Sequence, residues 1–333
     1  MNKSLNMIKC IAAFCVIIIH CVSLSDNQYL QFLDAIVRFA TPIFALISGY
    51  YGYFHDENID IEQKYKKRAW KIFGLIIIST IIYFIYKLYS FNGDVSKVFR
   101  LYNWNAIYKL IFLNISVLSQ HLWYLWAILY CYILLIIMKK LNFKINSLYR
   151  YIPILLVLNI LIGEVLFVAN IKIQNIYTRN FLLMILPFFM IGYYINETQI
   201  YKKINTNYLV FICILSTILT VIERINTAVL NTYVGTIFLS ISIFMLCLKY
   251  PMGARLHLIE WIGTKLSTSI YIIHFLILKI IEQIEEYNNY KGNKILVINI
   301  FITFIVSVLI STIIYFIKNL INIARTKWKQ SHL

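Results

Sequence analysis

The sequence predicts an all-α, polytopic integral membrane protein of about ten spans with no separate soluble domain. Three observations predict it. Apolar runs of about 17–25 residues recur along the chain, each long enough to cross a bilayer. Hydrophobic residues make up 61% of the sequence and charged ones only 14%. The Lys and Arg residues gather at the ends of alternate runs. A soluble protein cannot bury this many helices that are apolar all round.

The first span, 5–24, carries two ionisable residues, Lys9 and His20. They are eleven residues apart, which at ~100° per residue is three turns plus ~20°, so both project from one helix face, ~16 Å apart along the axis. Ionisable groups inside a span are costly and mark function by default. Lys9 also interrupts the apolar run, and no convincing cleavage site follows, so the segment is expected to be a retained span rather than a signal peptide. The remaining spans are expected at 32–54, 71–91, 121–138, 151–170, 180–195, 208–222, 228–248, 267–284 and 295–317. Segment 103–119 is a weaker apolar stretch ringed by Lys97, Arg100 and Lys109, and reads as an interfacial or re-entrant helix. Residues 1–320 form one membrane domain and 321–333 a short basic tail. No phosphate-binding glycine loop and no internal repeat is evident.

The net charge of +17 raises the question of nucleic acid. The basic residues answer it: they lie at span ends, as topology and anionic lipid headgroups require. One set of connections holds Lys3, the run Lys64 to Lys71, Lys139 to Arg150, Lys202 and Lys203, Lys249 to Lys265, and the tail. The positive-inside rule puts that set, and both termini, in the cytoplasm. Lys9 is then near the inner face and His20 near the outer face of a bacterial plasma membrane, the AT-rich codon bias of Ile, Asn, Lys and Tyr pointing to bacteria. The six cysteines all fall in apolar segments without metal spacing, and read as small hydrophobic residues.

Six segments carry a resemblance. They are Lys9 to His20; Arg38-Phe-Ala-Thr-Pro-Ile-Phe-Ala-Leu-Ile-Ser48-Gly49-Tyr50; Lys67-Arg68-Ala-Trp-Lys71; His121-Leu-Trp123-Tyr124-Leu; Leu186-Pro187-Phe-Phe-Met-Ile-Gly192-Tyr193; and Ile262-Gly263-Thr-Lys-Leu-Ser267-Thr-Ser-Ile-Tyr271-Ile-Ile-His274. In this order the chain resembles membrane acyltransferase family 3 along almost its whole length. It departs from the family in having Lys at positions 9 and 71 where Arg is common, which keeps the charge but not the bidentate fork. The resemblance implies transfer of an acyl group, commonly acetyl, from cytoplasmic acyl-CoA to a hydroxyl or amine, often of a cell-envelope glycan or its lipid-linked precursor. No metal is expected.

The residues suit that chemistry. A neutral His20 can take a proton from an acceptor hydroxyl near pH 7, as a general base, or carry the acyl group transiently. Lys9, Arg68 and Lys71 can attract the phosphates of CoA; the plain alternatives are snorkelling for Lys9 and positive-inside anchoring for the pair. His121 shares the depth of His20 and can orient the base or the acceptor. Trp123 and Tyr124 read either as an interfacial belt or as a sugar-stacking surface. Tyr271 and His274 share a face with Ser267 and can line a pocket or bond between helices. Arg38 forms an i,i+4 pair with Asp34 and is also a candidate site residue. Ser48 and Gly49 read as close-packing positions rather than a nucleophile. Glu164, alone in the fifth span, is a candidate without a named partner. The competing function is a transporter or flippase of a lipid-linked sugar.

Overall fold

The computed structural model describes residues 2–22, 27–56, 60–165, 177–227, 230–252, 256–288 and 292–330. The side chains of 164, 165 and 327–329 lie outside that description. The regular structure among the described residues is entirely helical. Nine stretches among them are long and apolar enough to cross a membrane, and a tenth apolar helix, Val234–Lys249, is shorter at 16 residues. Each apolar segment expected from the sequence therefore falls on helix over most of its described length, with 23–24 of the first, 166–170 of the fifth and 228–229 of the eighth lying outside the described residues.

The helices are α1 (Lys3–Val22), α2 (Gln28–Val37), α3 (Ala40–Tyr50), α4 (Ile61–Ser90), α5 (Val95–Arg100), α6 (Trp104–Leu113), α7 (Trp123–Lys140) and α8 (Ile152–Ile160). They continue as α9 (Leu186–Thr198), α10 (Thr206–Asn226), α11 (Val234–Lys249), α12 (His257–Lys265), α13 (Ser267–Tyr287) and α14 (Asn293–Gln330). Pro42 explains why the second span is two helices. It has no N–H for the carbonyl of Arg38, and its ring crowds that carbonyl, so α2 ends there. The third span starts ten residues earlier than hydropathy indicates. Asp60 caps it, its carboxylate accepting from the backbone N–H of Gln63 at 2.9 Å, and Glu62 pairs with Lys66 at 2.6 Å. The basic run thus rides on the first turns of a 30-residue helix. The helix expected over 103–119 is only α6, which stops where Asn114 turns left-handed at φ 62°. The last helix runs on through Gln330.

The centre of the bundle is α1, which packs against α2, α3, α11, α12, α13 and α14. The outer helices turn apolar faces outward in its place: Phe211, Ile214, Leu215 and Ile218 of α10 are exposed, as are Ile305, Leu309 and Ile313 of α14. Small residues set how closely the inner helices approach. A Cβ on Gly49 would lie 1.8 Å from the carbonyl oxygen of Phe189, and one on Gly192 would lie 2.0 Å from that of Leu46. Helices α3 and α9 therefore touch backbone to backbone, the arrangement small residues permit in membranes. Gly263 of α12 does the same against Asn6 of α1, at 1.8 Å.

At the end of the bundle opposite Lys9, three non-helical segments, 114–119, 178–180 and 230–233, are largely buried and lie together. Irregular backbone at membrane depth must be satisfied inside the protein, and asparagines do this. Asn114 accepts from the N–H of Phe181 at 2.7 Å, Asn159 donates to the carbonyl of Thr178 at 2.8 Å, and Asn231 donates to the Thr178 hydroxyl at 3.0 Å.

Gly192→Ala should force α3 and α9 apart and cost about 1–3 kcal/mol. Gly74, where an added Cβ would meet nothing within 4 Å, should tolerate alanine or gain slightly. Thermal midpoints of the two detergent-purified variants check the contrast; equal midpoints would remove the close approach as a determinant of the fold.

Candidate active site

The stripe of α1 that bears Lys9 and His20 faces two adjoining cavities. The larger, about 400 Å³, is lined by Lys9, Arg68 and Lys71 together with Tyr51, Tyr132, Ser48, Gly263 and Ser267. The smaller, about 50 Å³, is lined by His20, Arg38, His121, Trp123, Arg179 and Asn231. Phe44, Tyr124 and Tyr271 line both. These three rings are the partition between a chamber of cations and a chamber of imidazoles.

In the basic chamber the cations are held with their charge unspent. Lys9 touches only the Asn6 side chain, at 3.5 Å, and stands 5.7 Å from the ring centre of Tyr51. Arg68 lies over the rings of Phe54 and Tyr132, at 4.8 and 5.8 Å, and donates to the Tyr132 hydroxyl at 3.4 Å. Lys71 is exposed at the chamber's rim. Stacking of a guanidinium on aromatic faces fixes its direction without neutralising it. The three residues come from α1 and α4, and α7 supplies the aromatic floor.

The partition is hydrogen-bonded. Ser48 and Tyr124 are 3.2 Å apart through their hydroxyls, and Ser48 also donates to the Phe44 carbonyl at 2.8 Å. Tyr271 donates to the main-chain carbonyl of His121 at 2.5 Å. Ser48 thus serves α3–α7 packing, as its helical context predicts, and has no histidine beside it in these bonds.

Three histidines meet beyond the partition. His20 lies 5.3 Å from His274 and 6.4 Å from His121 between ring centres, and His121 lies 5.6 Å from His274. They come from α1, from the turn before α7 and from α13. His121 is stacked on Phe275 at 4.6 Å and lies edge-on to Tyr83 at 4.7 Å, while both of its ring nitrogens are buried without a protein partner. His274 makes a 3.1 Å bond from Nδ1 to the Ile270 carbonyl, which makes Nδ1 the protonated nitrogen and leaves Nε2 buried and unpartnered. His274 stands behind the other two rather than on the cavity wall. His20, half-buried, and His121 are the imidazoles on the cavity wall, and His20 is the less buried of the two.

The expected residues divide as follows. Lys9, Arg68 and Lys71 come together, as do His20, His121, Arg38, Trp123, Tyr124 and Tyr271. Trp123 is buried at 6% exposure, so it lines the cavity wall rather than an interfacial belt. Arg38 reaches the cavity but is engaged by Asp34 in a two-toothed pair at 3.0 and 3.2 Å. Glu164 lies on a helix whose side chain there falls outside the described residues. Arg179 is the residue that sequence reading passes over. It stands just before a span, where a cation reads as an ordinary boundary residue, yet it faces the histidines and lies 5.5 Å from the Trp123 ring centre. No group of three or more metal-ligating side chains occurs among the described residues.

Comparison with known proteins gives one match. The model of acyltransferase family 3, described as an acyltransferase domain, matches residues 2–316. No curated protein and no solved structure matches the chain. The family match takes in both chambers, every helix that lines them and nearly the whole sequence; the chain belongs to acyltransferase family 3 and is a membrane acyltransferase.

Proposed function

We propose that this protein moves an acetyl group from acetyl-CoA to a hydroxyl of a cell-envelope polysaccharide or its lipid-linked precursor. One observation carries the reading: three cations line one chamber, His20 and His121 line the next, and a single layer of Phe44, Tyr124 and Tyr271 separates them. Polyanionic CoA belongs with the first chamber. Its phosphates meet Lys9, Arg68 and Lys71, none of which is neutralised by a carboxylate among the described residues. On this reading its acyl-pantetheine arm crosses between the chambers at Phe44, Tyr124 and Tyr271, which line both. The acceptor hydroxyl belongs with the second chamber, where His20 can take its proton as it attacks the thioester carbonyl. His274 and His121 pack around that ring and fix its orientation. The chamber of about 50 Å³ has room for the reacting atoms and not for a sugar, so the glycan itself approaches from outside. A transporter of lipid-linked sugar would have no use for this arrangement and would neither hydrolyse nor transfer acetyl.

The orientation belongs to the same proposal. The cationic chamber opens to the cytoplasm, where CoA is available, and the histidine chamber to the outer face. Reporter fusions at Ser25 and Gln63 should then report opposite sides, with Gln63 inside; signals from the same side would overturn it.

His20→Ala should lower acetyl transfer on the order of 10²–10⁴-fold while leaving the protein inserted and monodisperse. His121→Ala and His274→Ala should cost less. Transfer of radiolabel from acetyl-CoA to membranes measures all three, and near-normal activity of His20→Ala would remove it from the mechanism.

Arg68→Gln or Lys71→Gln should raise the KM for acetyl-CoA and leave kcat and acceptor dependence nearly unchanged, the mark of lost uniform donor binding. The defect at exposed Lys71 should shrink as salt rises. A fall in kcat at unchanged KM would place these residues elsewhere in the cycle.

A further inference from the structure

Among the described residues, Arg179 of the histidine chamber has no counter-charge. Arg38 beside it is matched by Asp34 at 3.0 Å, but no carboxylate among the described residues pairs with Arg179. Its Nε is buried and has no hydrogen-bond partner. A lone buried charge at membrane depth is expensive, and an arginine kept there is normally paired or aimed at a ligand.

The surrounding backbone is built to hold it. Residues 178–180 are not helical, and the residues flanking Arg179 are tied down. The carbonyl of Thr178 accepts from Asn159 at 2.8 Å, and the Thr178 hydroxyl accepts from Asn231 at 3.0 Å. Asn180 caps the following turn, accepting from the Leu183 N–H at 2.9 Å and donating to the Tyr177 carbonyl at 2.6 Å. The Phe181 N–H is taken by Asn114 at 2.7 Å. The guanidinium rests on the indole of Trp123, which fixes its plane. A cation serving only to anchor a span end needs none of this.

We propose that Arg179 is a catalytic residue that donates hydrogen bonds to the oxyanion formed during acyl transfer. This rests on the acyl-transfer reading above. The acceptor oxygen attacks the thioester carbonyl carbon and forms a C–O bond, its proton going to an imidazole nitrogen of His20. The C=O π pair moves onto the carbonyl oxygen, giving the anion that Arg179 faces. Collapse returns that pair, breaks the C–S bond, and the departing thiolate takes the proton back from His20 as CoA thiol. Arg179 keeps its proton throughout. A preorganised donor in a site shielded from water is where such stabilisation is largest. The small volume of the cavity favours a transient oxygen over a bulky anionic group of the acceptor.

The test compares Arg179→Gln and Arg179→Lys with wild type in two reactions: hydrolysis of radiolabelled acetyl-CoA, with water as acceptor, and transfer of the label to membranes. CoA binding to the detergent-purified proteins normalises each rate to folded sites. The oxyanion arises in both reactions, so Arg179→Gln should lower both kcat values by the same factor, about 10²–10³-fold. The KM for acetyl-CoA should stay within about twofold, and Arg179→Lys, which keeps a charged donor, should recover part of the loss in both. A selective loss of transfer with normal hydrolysis would make Arg179 a reader of an anionic acceptor and overturn the assignment. So would a rise in KM alone, or a lowered thermal midpoint with normal kcat in the folded fraction. Absence of both reactions in the wild-type protein would overturn the acetyl-CoA reading itself, and this assignment with it.

Discussion

A charged or imidazole side chain cannot face lipid, and nearly everything else in this structure follows from that restriction applied to one helix. Helix α1 carries a lysine and a histidine in a single stripe, so it cannot lie at the edge of the bundle. Six other helices close around it, and the glycine contacts bring the inner ones close enough to do so. Gly263 lets α12 lie directly on α1, and Gly49 with Gly192 brings α3 and α9 together behind it. The price of a polar stripe at the centre is an outer shell, α4, α10 and α14, that is apolar where it meets the membrane.

The two chambers are made by different means. The basic one uses stacking: Arg68 on Phe54 and Tyr132, Lys9 beside Tyr51. Rings direct these cations and leave their charge available to a polyanion. The histidine chamber uses crowding. His121 is gripped by Phe275 and Tyr83 with neither nitrogen bonded to protein, and His274 is tied to its own helix. Within each chamber, then, direction comes from packing, and the polar atoms are kept for what enters.

Much of this is legible in the sequence, because the relevant signals are local. The same-face relation of Lys9 and His20 is a property of helix geometry alone, and the charge at 64–71 marks a span end whichever residue begins the helix. The start of α4 at Ile61 is not legible from hydropathy, since its first turns are polar and held by a cap and an ion pair. Nor are the unwound segments at 114–119, 178–180 and 230–233. They are tied together by asparagines distant in the chain, Asn114 to Phe181, Asn159 to Thr178 and Asn231 to Thr178, and a long-range partner leaves no periodicity. Arg179 is hidden for the same reason: a cation before a span is ordinary until its neighbours Asn159, Asn231 and Trp123 are seen around it.

The aromatic partition has an electrical consequence. Were water to fill the chamber of about 400 Å³ on one side of the rings and the smaller chamber on the other, the layer of Phe44, Tyr124 and Tyr271 would be the thinnest insulating part of the protein. A membrane potential falls where the dielectric is poorest, so the field would then be concentrated across those rings. Moving one elementary charge through the full potential is worth about 2.3 kcal/mol per 100 mV. A charge passing from the Lys9 side of the rings to the His20 side would then do much of that work within the thickness of one aromatic layer.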